Sequence, residues 1–111
     1  MGIELLWWAG CPSNADAERL VRDALDSLGL EDEAIERLEI VDQADAARER
    51  FVGSPTIRVG GRDLLEPSTD QLPSLTCRVY RLRDGRPSPT PDPAELRSAL
   101  ADALVKEQRG R

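Results

Sequence analysis

The sequence predicts a single α/β domain in which a βαβ unit is followed by a helix, a β-hairpin and a C-terminal helix around a mixed sheet of four strands. Three observations predict this class: an apolar run near the N-terminus, an apolar stripe at helical spacing after it, and a Gly60-Gly61 pair between two alternating segments. With 111 residues and an apolar share of 40%, the chain suits one core, so we expect residues 1–111 to form one domain.

The first two predicted elements are a buried strand and an amphipathic helix. Ile3 to Trp8 is almost entirely apolar and is followed by Gly10, which indicates a strand buried on both faces, as in a parallel sheet. Pro12 suits the first position of a helix because it has no N–H to lose there, and Gly29 suits the C-terminal cap. The apolar positions between them lie on one helical face: Ala17, Leu20, Val21, Ala24, Leu25 and Leu28.

The next segments complete the predicted sheet. Glu36 to Asp42 is expected to form a second strand, parallel to the first because a helix connects them. A short helix is expected over Gln43 to Arg50. Thr56 to Val59 alternates as a strand, Gly60-Gly61 suits a two-residue turn, and Arg62 to Leu65 is expected to return antiparallel.

The Pro-rich segment 66–92 is expected to cover the sheet. Five of the eight prolines lie in it, and a short strand is expected at Cys77 to Leu82. Asp92, Pro93 and Glu95 suit the N-cap, N1 and N3 positions of a final helix. This segment therefore connects the hairpin to the last helix.

The composition excludes several classes of function. A formal charge of -6 and a pI near 4.7 argue against a nucleic-acid or anionic-membrane partner. The chain has no histidine, the commonest metal ligand and the usual base beside a nucleophile. Without a signal peptide or a membrane-spanning apolar stretch, we expect a soluble cytoplasmic protein with reduced cysteines. Paired arginines such as Arg78 and Arg81 are expected to be solvated and are assigned no role.

Two motifs give the chain a family resemblance. Trp7-Trp8-Ala9-Gly10-Cys11-Pro12-Ser13-Asn14 lies at the first strand-to-helix turn, and Val52-Gly53-Ser54-Pro55-Thr56 leads into the hairpin. With this order of elements, the chain resembles the thioredoxin-fold superfamily and, more loosely, small thioredoxin-like proteins of organomercurial-resistance settings. The resemblance covers residues 3–65 and the last helix. It implies a thioredoxin-like fold with a Cys-x-x-Asn variant of the family's cysteine motif.

Cys11 is the candidate nucleophile. If Pro12 is the first helical residue, Cys11 is the N-cap, and its sulfur lies beside unpaired backbone N–H groups and the positive end of the helix dipole. These favour the thiolate, while Asp16 and Glu18 oppose it, so we expect a modest lowering of the Cys11 pKa. Asn14, one turn further, is expected to donate its amide N–H to the thiolate or to cap the backbone.

The residues leave the chemistry of Cys11 open. Asn14 stands where a dithiol enzyme has its second cysteine, so a disulfide within the motif is impossible. Cys11 then acts as a monothiol through a mixed disulfide, or uses Cys77 as a distant resolving thiol, or is redox-inactive in a binding module. Cys77 is alternatively a buried small residue. Soft-metal capture by both thiols is a further alternative, although no metal-site spacing is present.

The resemblance also implies which residues meet the substrate. Pro55 is expected to follow a cis peptide bond, and the backbone groups of Ser54 are expected to pair with an extended peptide or with glutathione beside Cys11. Trp8 and Pro12 complete the predicted substrate-binding set. The expected partner is a disulfide-bearing protein or a small thiol, with no cofactor other than glutathione as a co-substrate. Whether the protein is an enzyme stays open at this point.

Overall fold

The computed structural model describes the backbone of residues 2–65 and 71–109, and the side chains of residues 2–65 and 71–105. Within these residues the chain is an α/β protein with three helices and a four-stranded mixed sheet, which confirms the predicted coarse class. The elements are β1 Ile3–Trp7, α1 Asn14–Ser27, β2 Ile35–Glu39, α2 Gln43–Glu49, β3 Thr56–Val59, β4 Arg62–Asp63, β5 Tyr80–Arg81, β6 Pro87–Ser88 and α3 Pro93–Arg109.

The main sheet has the strand order β2-β1-β3-β4. β1 pairs parallel with β2, as the βαβ order predicts, and antiparallel with β3, so that Leu6 lies between Leu38 and Thr56. β3 returns as β4 through Gly60 and Gly61, whose φ values of 60° and 80° are those of the predicted hairpin turn. β1 is thus an inner strand, and the loop that follows it starts at the carboxyl end of this strand.

Two hydrophobic clusters pack on the two faces of the sheet. Neighbouring residues of a strand point to opposite faces, so Leu5 joins one cluster and Leu6 the other. The larger cluster unites β1 and β3 with α1 and α3: Ile3, Leu5, Ala17, Val21, Ala24, Leu25, Ile57, Val59, Leu96, Leu100 and Leu104. The smaller one consists of Leu6, Ile40, Ala46 and Phe51. Leu38 and Trp8, the residue after β1, are partly buried and pack against this smaller cluster.

Helix α1 begins later than the sequence predicts. Its N-cap is Ser13, and the first helical hydrogen bond runs from the Ala17 N–H to the Ser13 carbonyl at 3.1 Å. Cys11 instead belongs to a turn, in which its N–H donates to the Trp8 carbonyl at 3.0 Å. The predicted N-cap position of Cys11 and N1 position of Pro12 are therefore wrong, because the turn uses both residues before the helix starts.

The covering segment differs from its prediction in extent. The strand expected at Cys77 to Leu82 is limited to β5, which pairs with β6 in a separate two-stranded sheet. Residues 66–70 of the predicted segment lie outside the described residues. At its end the predicted cap is confirmed: an Asp92 carboxylate oxygen accepts from the N–H groups of Ala94 at 3.0 Å and Glu95 at 3.1 Å.

Candidate functional site

The candidate site forms where the loop after β1 meets the chain that leads into β3. The Trp8 N–H donates to the Ser54 hydroxyl oxygen at 3.1 Å and joins the two segments. The peptide bond between Ser54 and Pro55 is cis, as expected. Ser54 is fully buried, and its carbonyl oxygen lies 3.5 Å from the Cys11 sulfur. Cys11 and Ser54, which the family resemblance places together, are thus neighbours.

A third segment, residues 74–78, closes over Ser54, and we call it the strap. The Ser54 N–H donates to the Thr76 carbonyl, and the Arg78 N–H donates to the Ser54 carbonyl, each at 2.8 Å. Ser54 and Cys77 therefore form a parallel β-bridge. The expectation that Ser54 offers its backbone to a substrate conflicts with this arrangement, because both of its pairing groups are bonded within the chain.

Gly53 permits the close approach of the strap. A β-carbon at this position would lie 2.8 Å from the Arg78 β-carbon and 2.9 Å from its Cα and N atoms, and the Gly53 φ of +153° is one that other residues rarely adopt. Any side chain here would push the strap away from Ser54. The glycine of the Gly53-Ser54-Pro55 motif is thus required by a contact with a distant part of the chain.

The Arg78 side chain holds the strap against the hairpin. Its residue is 7% exposed, which contradicts the prediction of a solvated arginine. The guanidinium donates to an Asp63 carboxylate oxygen at 2.7 Å and to the Leu65 carbonyl, and it lies 4.7 Å from the centre of the Tyr80 ring. A buried ion pair with further hydrogen bonds and an aromatic neighbour fixes the position of the strap against the hairpin.

The strap brings Cys77 to Cys11. Cys11 is only 2% exposed, whereas Cys77 is exposed, and both are free thiols. The two thiols lie close enough that each shifts the pKa of the other. The Cys11 sulfur also lies 3.2 Å from the Ser13 hydroxyl oxygen. The two cysteines of the chain are therefore neighbours, and the alternative of Cys77 as a buried small residue is wrong.

The proton is distributed unequally between the two thiols. Burial raises the pKa of Cys11, but hydrogen bonds from the Cys77 thiol, from the Ser13 hydroxyl and backbone N–H, and from Ser54 together lower this pKa below its ordinary value. The pKa of Cys77 is raised, first by its interaction with the Cys11 side chain, and then by burial and the Cys11 charge. Cys11 is thus the more acidic thiol of the pair and Cys77 the less acidic one.

Other predicted site residues lie further from the sulfurs or meet them differently. Among the described side chains, no hydrogen bond joins Asn14 to Cys11; Ser13 takes that position instead. Pro12 is exposed. The Trp8 ring folds back over Gly10, where a β-carbon would lie 2.5 Å from the ring. The role of Trp8 at the sulfurs is therefore through its backbone, and the substrate-binding roles of these residues stay predictions.

Sequence reasoning missed Ser13 and Arg78. Ser13 follows Cys11 by two residues, a spacing that in a turn brings a hydroxyl back to the sulfur, so the Cys-x-Ser pattern was the available signal. Arg78 had no comparable signal, because its partner Asp63 lies in the hairpin and the sequence does not show that the two meet. Its burial is a property of the folded chain alone.

The donor set of the site is two thiols and two hydroxyls. In the part of the chain that the structure describes, no three His, Cys, Asp or Glu side chains are grouped so as to hold a metal ion, and no helix is long and apolar enough to cross a membrane. Compared with the models of protein families, with curated proteins and with solved structures, the chain matches none. The function must therefore be argued from this geometry.

Proposed function

We propose that the protein is a thioredoxin-like thiol-disulfide exchange protein whose working pair is Cys11 and Cys77. The observation that carries the proposal is the β-bridge that sets Cys77 in register with Ser54, whose carbonyl oxygen lies 3.5 Å from the Cys11 sulfur. Formation of a disulfide requires two sulfurs that approach to about 2.05 Å with suitable Cβ geometry, and the strap already holds the second sulfur beside the first. Cys77 then takes the place of the second motif cysteine, where the sequence has Asn14.

The fold supports the thioredoxin-like classification. The mixed sheet has the order β2-β1-β3-β4 with β1 at its centre, and the helices cover both faces. The loop after β1 carries Cys11, and Ser54-Pro55 lies directly beside it. These are the positions that the family resemblance assigns to a reactive cysteine and to the residues next to it.

The reaction is a two-electron exchange with an external disulfide. The protein dithiol and a disulfide RS–SR become the Cys11–Cys77 disulfide and two RSH, and the reverse reaction reduces the protein. The lowered pKa of Cys11 raises the fraction of this thiol that is ionised, and the thiolate is the form that such exchange needs. In a reducing compartment such as the cytoplasm, the pair rests as the dithiol.

Disulfide mapping after mild oxidation tests the proposal. We expect a Cys11–Cys77 link in the monomer, and we expect the rate of Cys11 alkylation against pH to give a pKa below about 8.5, the value for free cysteine. Cys11→Ser and Cys77→Ser proteins are the matched controls and should form no internal link. An oxidised wild-type monomer that carries only glutathione adducts on Cys11 would contradict the pair and support a monothiol protein.

The adjacency of the two thiols also favours a second candidate, capture of a soft metal ion. Two thiolates with no third acidic or imidazole ligand among the described residues suit a cation that accepts two sulfur ligands, such as Cu(I). Titration of the reduced protein with Cu(I) against a competing chelator tests this candidate. Retention of wild-type affinity by Cys77→Ser would exclude binding by the pair.

A further inference from the structure

The strap occupies the position at which an extended substrate would pair with the site. Ser54 offers one N–H and one carbonyl at this edge, and Thr76 and Arg78 bond both of them at 2.8 Å. Cys77 lies between these two residues, in register with Ser54. An external peptide can reach the backbone of Ser54 only if it displaces the strap.

The strap is held by contacts on both sides of Cys77. On one side, the Ser74 N–H donates to the Phe51 carbonyl at 2.9 Å, and Leu75 packs against the cluster that contains Phe51. On the other side, the Arg78 guanidinium is bonded to Asp63 at 2.7 Å. Displacement of the strap would leave the Asp63 carboxylate without this cation, so we treat the strap as a fixed wall of the site.

The two sulfurs differ in their access to solvent. Cys11 is 2% exposed and is enclosed by Ser13, Ser54 and Cys77, whereas Cys77 is exposed. A reagent from solvent therefore meets Cys77 first. Attack at a disulfide sulfur requires a free approach to that sulfur.

We propose that the pair exchanges with low-molecular-weight thiols and disulfides at the Cys77 sulfur, and that it does not read the backbone of extended peptides. This inference rests on the proposed function. A thiolate RS⁻ bonds to the Cys77 sulfur of the disulfide, the bond between the two protein sulfurs breaks, and Cys11 leaves as a thiolate. A second RS⁻ bonds to the R sulfur, releasing RS–SR and the Cys77 thiolate, which takes up a proton. The reverse sequence oxidises the pair.

The electrostatics of the pair agree with this direction. A thiol with a lower pKa leaves faster from a disulfide, and the pKa of Cys11 is lowered while that of Cys77 is raised. The Ser13 hydroxyl, 3.2 Å from the Cys11 sulfur, is placed to donate a hydrogen bond to the departing Cys11 thiolate. Access and leaving-group stability thus select the same sulfur for attack.

Trapping of the mixed disulfide tests the proposal. The oxidised full-length protein is mixed with reduced glutathione, quenched with acid after short intervals, treated with a maleimide and mapped by mass spectrometry. We expect the glutathionyl group on Cys77 and the maleimide on Cys11. Glutathione on Cys11 would overturn this inference and leave the proposed function intact, whereas failure to form the Cys11–Cys77 disulfide at the start would refute the proposed function.

The single-cysteine proteins give a second measurement. At a pH where both thiols are ionised, access decides the rate, so oxidised glutathione should modify Cys11→Ser, which keeps Cys77, faster than Cys77→Ser. Both proteins are compared with the wild type by thermal melting, so that an unfolded variant is recognised. A faster reaction of Cys77→Ser, with its melting curve unchanged, would contradict entry at Cys77.

A comparison between glutathione and a longer peptide tests whether the site recognises the backbone of extended peptides. The oxidised protein is reduced by glutathione and, separately, by a longer extended peptide with one central cysteine of matched pKa, and the second-order rate constants should agree. A peptide that paired with both Ser54 groups would react about thirtyfold faster, which corresponds to two hydrogen bonds at about 1 kcal/mol each. Such an acceleration would show that the strap yields to peptides.

Discussion

The two segments that supply the sulfurs of the site are built in different ways. The turn that carries Cys11 is formed mainly by local contacts: the Cys11 N–H donates to the Trp8 carbonyl and the sulfur lies beside the Ser13 hydroxyl, while the turn is joined to Ser54 at its margin. The strap that carries Cys77 makes its hydrogen bonds to Phe51 and Ser54, far away in the sequence. The comparison shows that the position of Cys11 depends mainly on local chain geometry, whereas the position of Cys77 depends on tertiary contacts.

Removal of the strap anchor should have the largest effect. Arg78→Met leaves the Asp63 carboxylate half-buried without its cation, and loss of one partner of a buried pair costs about 3 kcal/mol. Urea unfolding measures the free energy, and disulfide mapping should show a smaller yield of the Cys11–Cys77 link. Arg81→Met is the matched control because Arg81 is exposed. Equal losses of stability and of disulfide yield in both variants would show that the Arg78–Asp63 ion pair does not hold the strap.

A side chain at Gly53 should also displace the strap, with a smaller loss of stability than Arg78→Met. Gly53→Ala places a methyl group 2.8 Å from the Arg78 β-carbon, and overpacking of this kind costs about 1–3 kcal/mol. We expect a lower free energy of unfolding and a Cys11 pKa that moves up toward its ordinary value. Gly2→Ala serves as the control, because nothing lies within 4 Å of a β-carbon at Gly2. An unchanged Cys11 pKa in a destabilised Gly53→Ala protein would separate stability from the pairing of the sulfurs.

Removal of single hydrogen-bond donors compares the two segments directly. Cys77→Ala removes the side chain that lowers the Cys11 pKa most, and Ser13→Ala removes the next, so both should raise this pKa, the former by more. At a neutral pH each variant then has less thiolate and a slower Cys11 alkylation rate. Because Cys77 is exposed, its substitution should change the free energy of unfolding by less than about 0.5 kcal/mol. A larger shift in Ser13→Ala would reverse the ranking of the two segments.

Substitution of the α3 cap residue Asp92 should have the smallest effect on stability, and only at acidic pH. Burial raises the pKa of Asp92, but bonds from the N–H groups of Glu95, Arg83 and Ala94 lower it overall. A carboxylate with a lowered folded-state pKa stabilises the fold above its unfolded value of about 3.9, and this contribution is lost as the pH falls through the folded-state value. Asp92→Asn keeps a capping side chain without this titration. Its stability relative to the wild type should therefore improve below about pH 4, with Cys11 alkylation at neutral pH unchanged.

Much of the fold followed from patterns that act over short distances. The apolar run of β1, the stripe of α1, the Gly60-Gly61 turn and the Asp92 cap are each confirmed within a few residues of their predicted bounds. The start of α1 was misplaced because Pro12 is acceptable both in a turn and at N1. Local energies of similar size decide such a boundary, so a pattern alone does not settle it.

By itself, the sequence determined the α/β class and the place of Cys11 after β1, while the nearness of Cys11 to Ser54-Pro55 was an implication of the family resemblance. Only the tertiary structure decided that Cys77 lies against Cys11, that Arg78 is buried and that the strap bonds both backbone groups of Ser54. The physical reason is that these contacts join segments far apart in the chain. Their formation depends on the packing of the hairpin and the covering segment together, which no spacing of residues along the sequence records.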